Sequence, residues 1–183
     1  MLDLNEDHRK TLLRIARQSI AAVLEGRARE WKADEFDEIL RRPAGAFVTL
    51  KTHDDDLRGC IGSIHAVHPL YQAVASSAIS AAFRDPRFPP VHAGELDQLD
   101  LEISVMGPIE VVTSIEEIVV GRDGLIISQG RNAGLLLPQV ATDYEWDRKT
   151  FLEQTCVKAG LPRDAWRSPH CRIEKFSAVV FGE

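Results

Sequence analysis

The sequence predicts an α+β fold, a mostly antiparallel sheet with flanking helices. Strand-like segments dominate the middle of the chain, and helical patterns bracket them. Two pairs of strand segments are joined by short turns. Such hairpins require antiparallel pairing and argue against a doubly wound parallel sheet.

The elements follow in order. Residues 5–25 predict an amphipathic helix, with Leu12, Ile15, Ala16, Ser19, Ile20, Val23 and Leu24 on one face. Asn5 can cap it and Gly26 can end it. Residues 27–43 read as charged and mostly irregular. AFVTLKT (46–52) is a β-branched, alternating strand. HDDD (53–56) is turn chemistry, and LRGCIGSI (57–64) is the returning strand. Pro69 is placed at the start of a buried, alanine-rich helix over 69–83, with His68 at its cap. The prolines of RDPRFPP (84–90) stop that helix. Short turns are expected at 93–98 and 114–119, with a strand at 101–107 between them. GLIIS (124–128) and AGLLLPQVA (133–141) flank QGRN as a second hairpin. Asp147 caps a helix over 148–159, which Gly160 and Pro162 close, and 171–181 is a last strand.

The 183 residues suffice for one sizeable domain. No repeat, low-complexity stretch or long linker divides them, so residues 1–183 are read as a single domain. The formal charge of −6, from 28 acidic and 22 basic residues, speaks against a general nucleic-acid binder. No apolar run reaches the ~18 residues of a membrane span. The N-terminus carries acids where a secretory leader would carry lysine and arginine, so a cytoplasmic location is expected. Three scattered cysteines, Cys60, Cys156 and Cys171, suggest reduced thiols rather than a disulfide framework.

The second strand concentrates the chemistry. Strand parity would put Arg58, Cys60 and Gly62 on one face, so that Arg58 could favour the Cys60 thiolate. Gly59 and Gly62 would leave room for a backbone or ligand to approach. The competing reading is a small, buried cysteine in a crowded strand. Cys60, His65 and His68 do not have a standard zinc spacing, and no metal site is assigned. Serine-nucleophile and phosphate-loop motifs are missing as well. In RDPRFPP, Arg84, Asp85 and Arg87 sit on a proline-braced loop. They form either a functional rim, with Arg58 completing an anion site, or an ion-paired turn. Gln139 and Glu145 are the polar residues most suited to face a pocket in the second half of the chain.

LRGCIG (57–62), DPRFPP (85–90), LEISVM (101–106), GLLLPQVA (134–141) and WDRKTFLEQTCVKAGL (146–161) together resemble the signature segments of the AMMECR domain family, also called AmmeMemoRadiSam system protein A. The resemblance runs in order over about residues 5–182. It implies a larger and a smaller lobe around a cleft that holds LRGCIG. It names no reaction and no cofactor. It implies association with a Memo-like protein and a radical S-adenosylmethionine protein in a modification pathway. Where the family often carries a histidine before GLII, this chain has Asp123, so a base there is not expected. On this reading Cys60 is the candidate reactive thiol, with Arg58 as its catalytic partner. Gly59, Ile61, Gly62, Asp85, Arg87 and Gln139 are the candidate substrate contacts. An adaptor or chaperone that binds a partner protein through the same segment is the alternative, and nucleic-acid binding ranks behind both.

Overall fold

The computed structural model describes residues 2–183. Its helices are α1 (Glu6–Leu24), α2 (Glu38–Arg41), α3 (Leu70–Phe83), α4 (Pro138–Asp143) and α5 (Arg148–Lys158). Its strands are β1 (Ala46–Thr52), β2 (Leu57–Ser63), β3 (Leu99–Val111), β4 (Asp123–Gln129), β5 (Asn132–Leu136) and β6 (Arg172–Gly182). The fold is α+β. The strands hydrogen-bond in the order β2-β1-β3-β6-β4-β5, and β1 pairs antiparallel with both β2 and β3.

The chain divides into two compact units. The larger comprises Leu2–Met106 with Val179–Glu183. In it α1 and α3 pack together, and α3 also lies against β1 and β2. Its core is aliphatic and includes Leu12, Ile15, Ile20, Val48, Leu50, Val74, Leu101 and Ile103. Burial of this apolar surface is the main force holding the unit together. Helix α1 starts where its cap predicts. The Asn5 side chain accepts the His8 N–H at 2.9 Å, and His8 Nδ1 accepts the Asn5 N–H at 3.2 Å.

The smaller unit comprises Gly107–Ala178. In it β4 pairs antiparallel with β5 and β6, and α5 packs on β4 and β5. Ile118, Leu125, Ile127, Phe151, Leu152 and Cys156 fill its core. Gly160, at φ +72°, turns the chain out of α5 in a conformation that only glycine adopts readily.

Several boundaries differ from expectation, each for a local reason. Residues 27–43 contain α2, capped by Asp37, whose side chain accepts the Leu40 N–H. Pro69 is the cap residue of α3 rather than its first helical residue. The expected strand 133–141 stops at Leu136, and Pro138 opens α4. A proline cannot donate to a strand ladder but suits a helical first turn. Strand β3 runs past 107 to Val111. Gly107 permits this, because a Cβ there would come within 2.4 Å of Ser177 Oγ.

Candidate functional site around Cys60

Strand β2 lies at the edge of the sheet. Its register against β1 pairs Cys60 with Thr49, Gly59 with Leu50 and Ile61 with Val48. Leu50 and Val48 are fully buried, so Gly59 and Ile61 share the core face, and Cys60 shares the other face with Thr49. On β3 the residue opposite Thr49 is Glu102, which completes a row of Cys60, Thr49 and Glu102 across three strands.

The alternation fails before Cys60. Lys51 pairs with Leu57 and Leu50 with Gly59, so Arg58 is the extra residue of a β-bulge. A bulge re-aims the side chain it carries. Arg58 accordingly donates to Glu95, through Nε at 2.5 Å and Nη2 at 3.1 Å, and to the Pro89 carbonyl at 2.9 Å. Its Nη1 is buried without a partner. The expected Arg58–Cys60 coupling does not form, because strand parity holds only where the ladder is regular. Burial is the largest single influence on the Glu95 carboxyl and pushes it up, but the Arg58 guanidinium and the His92 N–H together hold the group below its usual range.

The loop after α3 closes on Cys60 instead. Asp85 is 4% exposed, and its Oδ2 accepts the Cys60 N–H at 2.9 Å. Arg87 donates to the same carboxylate through Nε at 2.9 Å and Nη2 at 2.7 Å, and through its backbone N–H at 3.1 Å. Arg87 Nη2 also reaches the Cys60 carbonyl at 3.4 Å. Both outward backbone groups of Cys60 are thereby held by one clasp. The Arg87 guanidinium, aided by the two N–H donors and opposed by burial, holds Asp85 well below the usual carboxylate range. Asp85 in turn raises Arg87, with a smaller contribution from Cys60. Phe88 sits beside both guanidinium groups, 5.4 Å from Arg87 and 6.0 Å from Arg58.

The clasp uses only the backbone of Cys60 and leaves its side chain otherwise engaged. The sulfur accepts the Thr49 hydroxyl at 3.2 Å, and the residue is half-buried. Cys156 is fully buried, and burial raises its thiol; burial also raises the half-buried Cys171.

The space left by the two glycines is occupied by the protein itself. A Cβ on Gly59 would lie 2.3 Å from the Ala81 carbonyl oxygen of α3. A Cβ on Gly62 would lie 2.3 Å from the Ala46 carbonyl oxygen and 2.5 Å from Phe47. Ile61 packs against the larger unit's core. Cys60, Asp85 and Arg87 therefore come together, Arg58 stands apart with Glu95, and Gln139 lies on α4 of the smaller unit with its buried Oε1 unpartnered. Arg84 makes no ion pair with the others and lines a separate hollow beside α3. Sequence reasoning missed Thr49 and Glu95. The antiparallel register of the hairpin could have found Thr49, but no local signal marks Glu95. Among the described residues, no group of three or more His, Cys, Asp or Glu side chains is arranged to hold a metal ion. No helix among the described residues is long and apolar enough to cross a membrane.

An α+β unit whose edge strand is locked to a proline-braced loop by an Asp–Arg pair defines a class of protein more clearly than it defines a reaction. The family model AMMECR1 matches residues 13–181, and the chain belongs to that family. It is 45% identical to a protein of Methanothermobacter thermautotrophicus, over 98% of this chain and 96% of that one. It is 43% identical to a protein of Nanoarchaeum equitans, over 94% and 98% of the two chains. A crystal structure of an uncharacterized protein from Pyrococcus horikoshii superposes with a TM-score of 0.89 at 42% identity, covering 94% of this chain and 90% of that one.

Proposed function

We propose that this AMMECR1-family chain acts through the Cys60 thiol, as the component of a radical-associated modification pathway that accepts or passes a substrate group. Memo-like and radical S-adenosylmethionine proteins are its proposed partners. The observation that carries the reading is the division of labour at Cys60. Its N–H and carbonyl are fixed by Asp85 and Arg87, while its half-buried sulfur meets a single hydroxyl donor, Thr49. A fixed backbone with a side chain in reach of solvent is the arrangement a positioned nucleophile needs. In this reading Arg87, rather than Arg58, is the cation beside the thiol. Asp85 and Arg87 are positioning residues, and Arg58 organises the neighbouring loop. The glycines contribute close packing behind the strand.

The same contacts weigh against docking a peptide strand at this point of the edge, because the N–H and carbonyl that such a strand would need are already bonded. Native protein treated with iodoacetamide and mapped by mass spectrometry tests the reading. Cys60 should alkylate well before the fully buried Cys156, which should react only on unfolding. Cys60→Ser leaves the clasp intact, because the clasp engages backbone atoms alone. That variant should abolish pathway function with stability and partner binding unchanged. Full function in Cys60→Ser, or protection of Cys60 in the native protein, would transfer support to the adaptor reading.

A further inference from the structure

A second site lies on the outer side of α3, in the larger unit. Here a hollow of about 490 Å³ is lined by Arg29, Lys32 and Arg84. None of the three takes part in an ion pair among the described residues. They differ in this from Arg17, Arg58, Arg87 and Arg122, each of which meets a carboxylate. Glu30 is the single acidic residue of the lining. The hollow is therefore a local concentration of uncompensated positive charge, which favours an anionic ligand.

Its floor and wall differ in character. Trp31, Ala75 and Ile79 supply apolar surface. Trp31 is fixed in place, because its indole N–H donates to Ser19 Oγ at 3.0 Å and its ring stacks under the Arg29 guanidinium at 4.4 Å. Gln72, Ser76 and Ser80 stand at four-residue intervals on α3, and the interval continues to Arg84. Residues at that spacing share one helical face, so they form a stripe of hydrogen-bond donors that ends in a cation. Arg84 also offsets the negative end of the α3 dipole.

We infer that this hollow binds a small organic phosphate with a planar body, of the nucleoside monophosphate class. The phosphate would lie among Arg29, Lys32 and Arg84, and the ring would lie over the Trp31–Ile79 surface. Guanidinium groups match phosphate oxygens in charge and geometry. The volume falls within the range of ~300–1,000 Å³ typical of small-ligand sites. The site is independent of Cys60, since no residue of the clasp lines it.

Isothermal titration of the full-length chain at low ionic strength tests the inference, with AMP, adenosine and inorganic phosphate as separate probes. AMP should bind saturably, one per chain, with adenosine and phosphate each roughly tenfold weaker or more, because each lacks half of the recognised chemistry. Arg84→Ala and Lys32→Ala are exposed, fold-neutral changes, and each should weaken AMP binding about tenfold, the loss expected for one charge-assisted contact. Cys60→Ser should leave it unchanged. Absence of saturable AMP binding would overturn the inference. So would equal binding of adenosine, no effect of either substitution, or tighter binding of a short single-stranded oligonucleotide than of AMP.

Discussion

Replacing Asp85 with alanine isolates the clasp. The carboxylate accepts hydrogen bonds from the Cys60 N–H, the Arg87 N–H and two guanidinium nitrogens. The Arg87 side chain is 52% exposed, so water can rehydrate it, and its share of the loss is only ~0–1 kcal/mol. The Cys60 N–H is less fortunate. It sits on a half-buried edge strand, and a stranded donor there costs ~1–3 kcal/mol. The two contributions give a destabilisation of about 1–4 kcal/mol. For a chain of this length each kcal/mol lowers Tm by ~2–4 °C. Urea unfolding followed by circular dichroism measures the loss, and amide hydrogen exchange at Cys60 locates it. The pH dependence is diagnostic as well. The folded-state pKa of Asp85 is depressed, chiefly by Arg87, so its contribution is complete above the unfolded pKa and is lost as pH falls through the folded value. The gap between wild type and Asp85→Ala should be level from about pH 5 to 8 and should close below ~4. A loss under ~1 kcal/mol, or a gap that stays constant down to pH ~2, would refute the clasp.

Two further expectations concern the same strand. Gly59→Ala and Gly62→Ala should each cost about 1–3 kcal/mol, because the new methyl group meets backbone rather than a yielding side chain. Gly94→Ala, where nothing lies within 4 Å of the added Cβ, is the matched control and should be nearly neutral in thermal melts. Arg58→Ala should leave Glu95, whose side chain is 19% exposed, with burial as its dominant influence. NMR titration should then find the Glu95 carboxyl above its ordinary ~4.3 rather than below it, while unchanged titration would show that Arg58 does not govern it.

Local chemistry made much of the fold legible in the sequence. Asn5, Asp147 and Gly160 marked helix ends through bonds and dihedrals confined to a few residues. The hairpin of β1 and β2 was legible from alternation and turn residues. Three features were not. The bulge at Arg58 depends on a partner 37 residues away, and Asp85 reaches Cys60 from 25 residues away. The glycine spacing in LRGCIG suggested vacancy, yet α3 and β1 fill it. Whether a missing side chain leaves a pocket or admits a neighbour depends on what packs there, and a strand's own residues do not encode that. The proline of LLLPQ was visible, but residues 133–141 read as one strand, whereas Pro138 opens α4.

The bulge changes which arginine matters. In a regular strand, Arg58 and Cys60 would share a face, and a guanidinium would stand beside the thiol. One extra residue sends Arg58 to Glu95 and gives the site to Arg87, whose charge Asp85 already balances. Cys60 therefore sits next to a neutral pair rather than a lone cation, and Thr49 is the hydroxyl that touches its sulfur. If the thiol is reactive, Thr49→Val should slow its alkylation more than Arg58→Ala does. A methyl group replaces the Thr49 hydroxyl donor in the first change, whereas the second acts on a side chain directed away from the sulfur. The reverse order of rates would restore Arg58 as the partner of Cys60 and remove the basis for assigning that role to the clasp.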